Sequence, residues 1–164
     1  MAVADLIGAA VGVLLLVIVA YLLVGSVIST AQIVNAAQKS ATLLEEKQLK
    51  TDFAITSATT QSDNQTSNVD INCTITNTGN EVISDFTHMD VIVYDSGTET
   101  YNLYPYSAVA SPGKWTIVSQ GNDAINQLEL SPGNFYIIEV MTSGSSPYWF
   151  QITTGNGVYA SAFV

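Results

Sequence analysis

The chain has 164 residues, of which 48% are hydrophobic and only 11% are charged, and its formal net charge at pH 7 is −10. It contains no arginine, and from Thr51 onward it has eleven acidic residues and one basic residue, Lys114. Nucleic-acid binding, which needs Lys and Arg to neutralise phosphates, is thereby excluded. The single cysteine, Cys73, excludes an intrachain disulfide and a thiolate metal cluster within one chain.

The N-terminal element is an apolar segment that is long enough to cross a membrane. Residues 6–28 contain no charged side chain, and a helix of roughly 20 apolar residues spans a ~30 Å hydrocarbon core. A secretory signal peptide fits poorly, because no basic residue precedes the segment and because the apolar run is too long. Asp5 lies at its edge, where a carboxylate is costly unless a lipid headgroup, a cation of another subunit or the amino terminus pairs with it.

The helical pattern continues beyond the apolar segment. Apolar residues recur there at helical spacing, at Ile33, Ala37, Ala41 and Leu44. Glu46 and Lys50 form an i,i+4 pair in the favourable order, and no glycine or proline occurs between Gly25 and Leu49. We therefore predict one helix over residues 2–50, roughly 70 Å long. One small domain cannot cover so long a helix, so the helix needs partners.

A short glycine pattern lies inside the apolar segment. Gly8 and Gly12, in "GAAVG", have the GxxxG spacing that lets two helix backbones approach closely. Glycine is also common in membrane helices without a packing role, so a packing contact and a background occurrence both stay open.

From Thr51 the sequence changes to short runs that are rich in β-branched and aromatic residues. Seven or eight such runs are separated by turn signals such as "NTGN", "DSGT", "SPGK" and "SPGN". They predict an antiparallel sandwich or barrel, with proline followed by a positive-φ glycine at Pro112-Gly113 and Pro132-Gly133. The predicted fold class is α+β: a hydrophobic helix over residues 1–50, then an exposed, Ig-like antiparallel β-sandwich head over residues 51–164.

The sequence contains little that resembles catalytic chemistry. In "NVDINCTITN", apolar and polar residues alternate, which predicts that Cys73 is a buried thiol on the inner face of a strand. The only histidine, His88, gives no credible Ser/His/Asp set, and no phosphate-binding loop occurs. Three acids spaced five apart would fall on alternate faces of an extended strand, namely Asp85, Asp90 and Asp95. We therefore predict no enzymatic activity and no catalytic residue.

Two kinds of surface site are considered in the head. A calcium site could use Asp95, Glu99 or Asp123 with carbonyl oxygens, although solvated loop acids are the alternative; otherwise no metal or cofactor is predicted. Two N-glycosylation sequons begin at Asn64, in the polar stretch "QSDNQTSN", and at Asn72, on the polar face of a strand. Such tripeptides also arise by chance in a sequence rich in Asn and Thr.

Longer stretches carry a family resemblance that covers nearly the whole chain. "ITNTGNEVISDFTHMDVIVYD", "GKWTIV", "LELSPGNFYIIEV" and "GNGVYASAFV", after an apolar N-terminal helix with an acid at position 5, resemble archaellin. Archaellin is the subunit of the archaeal swimming filament and belongs to the type IV pilin-like filament proteins. The resemblance implies an extracellular structural subunit that polymerises through its N-terminal helix. Archaeal adhesive pilins and the archaellum stator accessory proteins, which bind the S-layer, are the alternatives.

The resemblance also implies partners and roles for the N-terminal residues. A prepilin-type leader peptidase would remove a basic leader, an ATP-driven platform would drive assembly, and the helix would lie in the cytoplasmic membrane beforehand. Met1 would then be the mature amino terminus, and Asp5 would pair with the amino group of a neighbouring subunit. The lysines after the span, with none before it, would by themselves place the head inside the cell, and a removed basic leader would restore the outward orientation.

Overall fold

The computed structural model describes residues 2–62, 68–121 and 128–164 of the chain. Its contacts separate two compact units, Met1–Leu44 and Glu45–Val164, so residues 45–50 at the end of the helix group with the head. The predicted division between residues 50 and 51 stays a prediction.

The N-terminal element is one continuous helix, α1, over Ala2–Lys50, which confirms the helix predicted over residues 2–50. Good helix formers such as Ala, Leu, Lys, Gln and Glu dominate its second part, over residues 31–50. The predicted Glu46–Lys50 ion pair forms there, at 2.6 Å between Nζ and Oε1. Polar side chains bond back to the helix: the Thr30 hydroxyl donates to the Ser26 carbonyl at 2.9 Å. That hydroxyl therefore needs no partner from the surroundings of the helix.

Eight strands and a short 3₁₀ turn follow within the described residues, at the positions of the runs that the sequence indicated. In chain order they are β1 (Phe53–Ser62), β2 (Val69–Asn77), the 3₁₀ turn (Phe86–His88), β3 (Asp90–Asp95), β4 (Thr100–Pro105), β5 (Trp115–Ser119), β6 (Phe135–Val140), β7 (Pro147–Thr153) and β8 (Tyr159–Phe163). Their lengths are typical of strands that pair in small sandwiches.

The strands form two four-stranded sheets that pack face to face. The first has the order β1-β2-β6-β5 and the second β4-β3-β7-β8, and every neighbouring pair is antiparallel. Alternation along each strand sends one set of side chains between the sheets, as with the buried Ile71, Cys73 and Ile75 of β2. The predicted α+β class, a long apolar helix followed by an antiparallel β-sandwich, is confirmed.

Aromatic and branched aliphatic residues from both sheets fill the core. Trp115, Tyr136 and Phe150 are fully buried, and the Trp115 indole N–H donates to the Met89 carbonyl at 3.2 Å. Two proline–glycine turns connect strands as predicted, because the second residue of each has φ near +77°, a region that glycine enters without strain.

Candidate assembly segment and the helix–head junction

The apolar part of α1 is open along its whole length. Every side chain described over residues 3–50 is exposed, including sixteen large hydrophobic side chains in residues 6–28. By length and composition the helix can cross a membrane. Removing a Leu or Val side chain from water is worth about 1.5–3 kcal/mol, so this segment needs lipid or other protein around it.

The predicted assembly residues fall at the start of this segment. Gly8 and Gly12 are one helical turn apart on the same face of α1, and a Cβ added to either would meet nothing within 4 Å. The helix backbone is therefore open to a neighbouring helix at this point. Asp5 lies in α1 near its N-terminus, and Met1 lies outside the described residues.

The C-terminal end of α1 is capped by a turn of the head. The carbonyl of Lys50 accepts hydrogen bonds from the backbone N–H groups of Asn80 (2.8 Å) and Glu81 (3.1 Å). The carbonyl of Asp52 accepts two more, from Thr78 (3.1 Å) and Gly79 (2.9 Å). Helix ends leave carbonyl groups without intrahelical partners, and here the turn after β2 supplies the donors.

Two residues of "NTGN", Asn77 and Gly79, allow this turn to approach the end of α1 closely. The Asn77 side chain is fully buried; its Nδ2 donates to the carbonyls of Glu81 and Leu130, both at 2.8 Å, and its Oδ1 accepts from the Gly79 N–H at 3.0 Å. A Cβ at Gly79 would collide with the backbone of Lys50 and Asp52. The sequence analysis used this motif as a turn signal and as part of the family resemblance. It did not identify the junction, because one partner of Asn77, the Leu130 carbonyl, is 53 residues away in the chain.

The Asp95 carboxylate organises loops at the end of β3. It is 3% exposed, and its oxygens accept from the backbone N–H groups of Gly97, Thr98 and Ser146 at 2.9–3.1 Å and from the Thr98 hydroxyl at 3.2 Å. Burial alone would raise the pKa of Asp95, but the hydrogen bonds from Ser146, Thr98 and Gly97 outweigh it and hold that pKa below its ordinary value.

The four hydrogen bonds to the Asp95 carboxylate reduce its capacity to bind calcium at the candidate site. They already occupy both oxygens of Asp95, while Glu99 is exposed at a left-handed backbone position, with φ 53°. Asp123 lies outside the described residues. Over residues 2–62, 68–121 and 128–164, no group of three or more His, Cys, Asp and Glu side chains could hold a metal ion.

The other titratable groups of interest lie apart from one another. Cys73 is 1% exposed, which agrees with the predicted buried thiol, and burial raises its pKa to about 12, so the reactive thiolate is suppressed. His88 pairs at the surface with Asp85, at 2.8 Å from Nδ1 to Oδ2. The hydrogen bond from His88, with one from Thr87, lowers the pKa of Asp85. Of the three acids spaced five apart, Asp90 and Asp95 lie in β3, whereas Asp85 precedes the 3₁₀ turn in which Phe86 is buried.

Of the two glycosylation candidates, Asn72 lies within the described residues and Asn64 does not. Asn72 lies in the middle of β2, is partly buried, and its Nδ2 donates to the Gln61 Oε1 at 3.1 Å. Glycosylation of Asn72 would replace one of the two hydrogens on this Nδ2 atom. Asn64 lies outside the described residues.

These features define a class of protein in which an exposed apolar helix is hydrogen-bonded, through its last turn, to an antiparallel β-sandwich. An exposed apolar helix of this length is typical of segments that lie in lipid or against other protein. The chain belongs to the archaeal-type flagellin family, whose sequence profile matches residues 5–161, including α1 and the head. The predicted resemblance to archaellin is confirmed. The family is structural, so the expectation that the chain is not an enzyme is confirmed too.

Solved structures with a similar fold include archaellum proteins of two kinds. The archaellum periplasmic stator protein FlaG from Sulfolobus acidocaldarius is 25% identical, and the match covers 70% of this chain and 99% of that chain with a TM-score of 0.50. The archaeal flagellin FlaB1 from Methanocaldococcus jannaschii is 12% identical, with 69% and 88% covered and a TM-score of 0.52, and shows the fold alone. The FlaF–FlaG stator complex from Sulfolobus acidocaldarius is 24% identical, with 68% and 87% covered and a TM-score of 0.47. No curated protein matches the chain.

Proposed function

We propose that the chain is a structural subunit of an archaellum filament and polymerises by packing α1 against copies of α1. The observation that carries this proposal is the family match from residue 5 onward, which includes a helix that is apolar and exposed on all sides. A helix that only anchored a head in lipid would not need the apolar stripe that continues past residue 28 to Leu44.

Assembly then exchanges one apolar environment for another. Before assembly, residues 6–28 lie in the cytoplasmic membrane with the head outside; an ATP-driven platform made of other proteins transfers each subunit into a bundle of identical helices. Apolar surface stays out of water throughout, so the hydrophobic effect does not oppose the transfer. In the finished filament the bundle forms the inside, and the heads form the extracellular surface.

The N-terminal residues set the register of this bundle. After removal of a leader by the peptidase, the Met1 amino group pairs with Asp5 of a neighbouring subunit, and Gly8 and Gly12 provide the close approach between helix backbones. A buried ion pair contributes little net stability, but it disfavours any register that leaves its charges unpaired. Its value therefore lies in choosing one packing among many that are equally apolar.

A second function is favoured by one specific observation. The stator protein FlaG matches at 25% identity over 99% of its own length, so an accessory protein with a membrane-anchored helix and an S-layer-binding head is the alternative. An adhesive pilus subunit would share the helix bundle with an archaellin and differ only in that the filament does not rotate.

Shearing of cells that make the tagged chain separates these functions. A filament subunit appears in the sheared fraction as high-mass polymers visible by electron microscopy, whereas a stator protein stays with the membrane. N-terminal sequencing of the sheared protein tests leader removal, because residues encoded upstream would be missing. Retention of all protein in the membrane fraction would contradict the filament function. Rotation of tethered cells distinguishes a swimming filament from an adhesive one.

The assembly residues are tested in the same assay. Asp5→Asn is expected to lower polymer yield, and Asp5→Glu is expected to retain it, because only the carboxylate pairs with an amino group. Gly8→Leu with Gly12→Leu is expected to block polymers. Gly25→Leu is the matched control, since Gly25 is in the same helix and is equally open. Equal polymer yields for all these variants would exclude the assigned roles.

A further inference from the structure

The outer face of the second sheet is unusually aromatic for a surface exposed to water. Side chains of Val91, Val93, Phe150 and Ile152 point between the sheets, so their strand neighbours point outward. Strand register arranges twelve outward residues in three rows: Tyr101–Tyr94–Trp149–Phe163, Leu103–Ile92–Gln151–Ser161 and Pro105–Asp90–Thr153–Tyr159. These twelve residues are called the aromatic face below.

The rings of this face pack against one another. The ring centroids of Tyr94 and Tyr101 are 4.8 Å apart, and those of Tyr101 and Trp149 are 6.3 Å apart in an edge-to-face arrangement. Phe163 contacts Tyr148, beside the bulge in β7, at 5.3 Å between centroids. Mutual packing restricts the motion of the rings. The rings therefore lose little further side-chain entropy when a partner covers them.

The exposed side-chain area of the face, taken together with the adjacent Tyr148, approaches that of a specific protein contact. Tyr101, Leu103, Tyr159 and Phe163 are 69%, 58%, 64% and 67% exposed. With about 200 Å² for each aromatic side chain, these residues and Tyr148 expose roughly 600 Å² of side-chain surface. That reaches the upper end of the largest patch on a typical monomer and comes close to the ~800 Å² per partner of a standard interface.

The charge of the face narrows the choice of partner. Asp90 is the only charged residue among the twelve, in a head region with eleven acids and one base. Another acidic head can therefore lie against this face without bringing carboxylates together, whereas most of the remaining surface would repel it. The outer side of β2, by contrast, carries Asp70, Asn72 and Thr74, which suit contact with water.

We propose that the aromatic face binds the head of a second copy of this chain, as a contact between neighbouring subunits of the filament. The inference rests on the proposed filament function and adds a head-to-head contact to the contact between helices. In the filament, rows of rings from each head are removed from water, which stabilises the outer layer in addition to the bundle of α1 helices.

A cysteine-protection experiment on full-length protein tests this contact. Leu103→Cys places a thiol on the face, in edge strand β4, and Val118→Cys is the matched control in edge strand β5 of the other sheet, because both residues are 58% exposed. The native Cys73 is buried, so the introduced thiol is the accessible one. Each variant is reacted with a maleimide as sheared filaments and as subunits dispersed in detergent, and labelling is measured by mass spectrometry.

The proposal expects Leu103→Cys to react about tenfold or more slowly in filaments than in dispersed subunits, while Val118→Cys reacts at similar rates in both. Filaments in which the Leu103→Cys thiol reacts as fast as in dispersed subunits would overturn the contact and leave the filament function intact. Slow reaction already in dispersed subunits would overturn it too, because the chain itself would cover the face. Absence of sheared filaments would overturn both proposals together.

Discussion

The junction between α1 and the head gives the sharpest stability prediction, through the substitution Asn77→Asp. Aspartate has the shape of asparagine and keeps the oxygen that accepts from Gly79, but it loses both N–H donors to Glu81 and Leu130. The new carboxylate would face two carbonyl oxygens in a site that is fully buried. The substitution therefore changes hydrogen bonding while leaving the volume of the core unchanged.

The expected loss in the free energy of unfolding is about 3–5 kcal/mol. Two lost hydrogen bonds contribute about 1 kcal/mol each, and the Glu81 carbonyl, which loses the Asn77 donor, adds about 1–3 kcal/mol. The Leu130 carbonyl still accepts from the Ile83 N–H at 3.1 Å. A domain of this size has about 5–15 kcal/mol in total, so the head would lose a large part of its stability. Burial beside carbonyl groups raises the pKa of the new carboxyl in the folded chain, and the protonated form restores one donor. The loss should therefore shrink as the pH falls through this raised pKa and be smallest below about pH 4, the ordinary pKa of an aspartate in the unfolded chain.

Urea unfolding of the full chain in detergent, followed by tryptophan fluorescence, measures this effect. Trp115 is buried in the core and reports on the unfolding of the head. Asn80→Asp, the same substitution three residues along in the same motif, is the control: that residue is exposed and contributes its backbone N–H to Lys50, so a change within about 0.5 kcal/mol is expected. The reasoning is refuted if the two variants lose similar stability, or if the deficit of Asn77→Asp is the same at pH 3 and pH 7.

Further predictions concern the Asp95 loops and the buried thiol. Gly144→Ala pushes a methyl group into the Asp95 carboxylate and should lower the free energy of unfolding by about 1–3 kcal/mol in the same urea titration; wild-type stability would contradict the described packing. Because the pKa of Asp95 is lower in the folded chain than in the unfolded chain, its carboxylate stabilises the fold above about pH 4, and this contribution is lost as the pH falls through the folded pKa. Urea midpoints from pH 6 to pH 2.5 should therefore decline less steeply for Asp95→Asn than for wild type. Cys73 should resist maleimide in the folded protein and react fully in urea, as read by mass spectrometry; rapid labelling of the folded chain would show that the core is open.

Much of the architecture could be predicted from patterns between near neighbours in the chain. An apolar run of membrane-spanning length, followed by a proline-free stretch of good helix formers, determines α1. Period-2 alternation determines β2, including the inward position of Cys73. The proline–glycine turns were equally predictable, since a single backbone angle at Gly113 or Gly133 decides them. In each case the interactions that select the structure lie within a few residues, so the local sequence contains them.

Only the tertiary structure determined the features that depend on contacts between residues far apart in the chain. Asn77 and Leu130 are 53 residues apart, and Asp95 meets Ser146 across 51, so no local pattern marks one as a junction residue or the other as a loop organiser. The aromatic face likewise exists only because pairing of β4, β3, β7 and β8 places Tyr101, Trp149 and Phe163 side by side. Periodicity determines which face of a strand a side chain occupies, but only strand order and register determine what lies beside it.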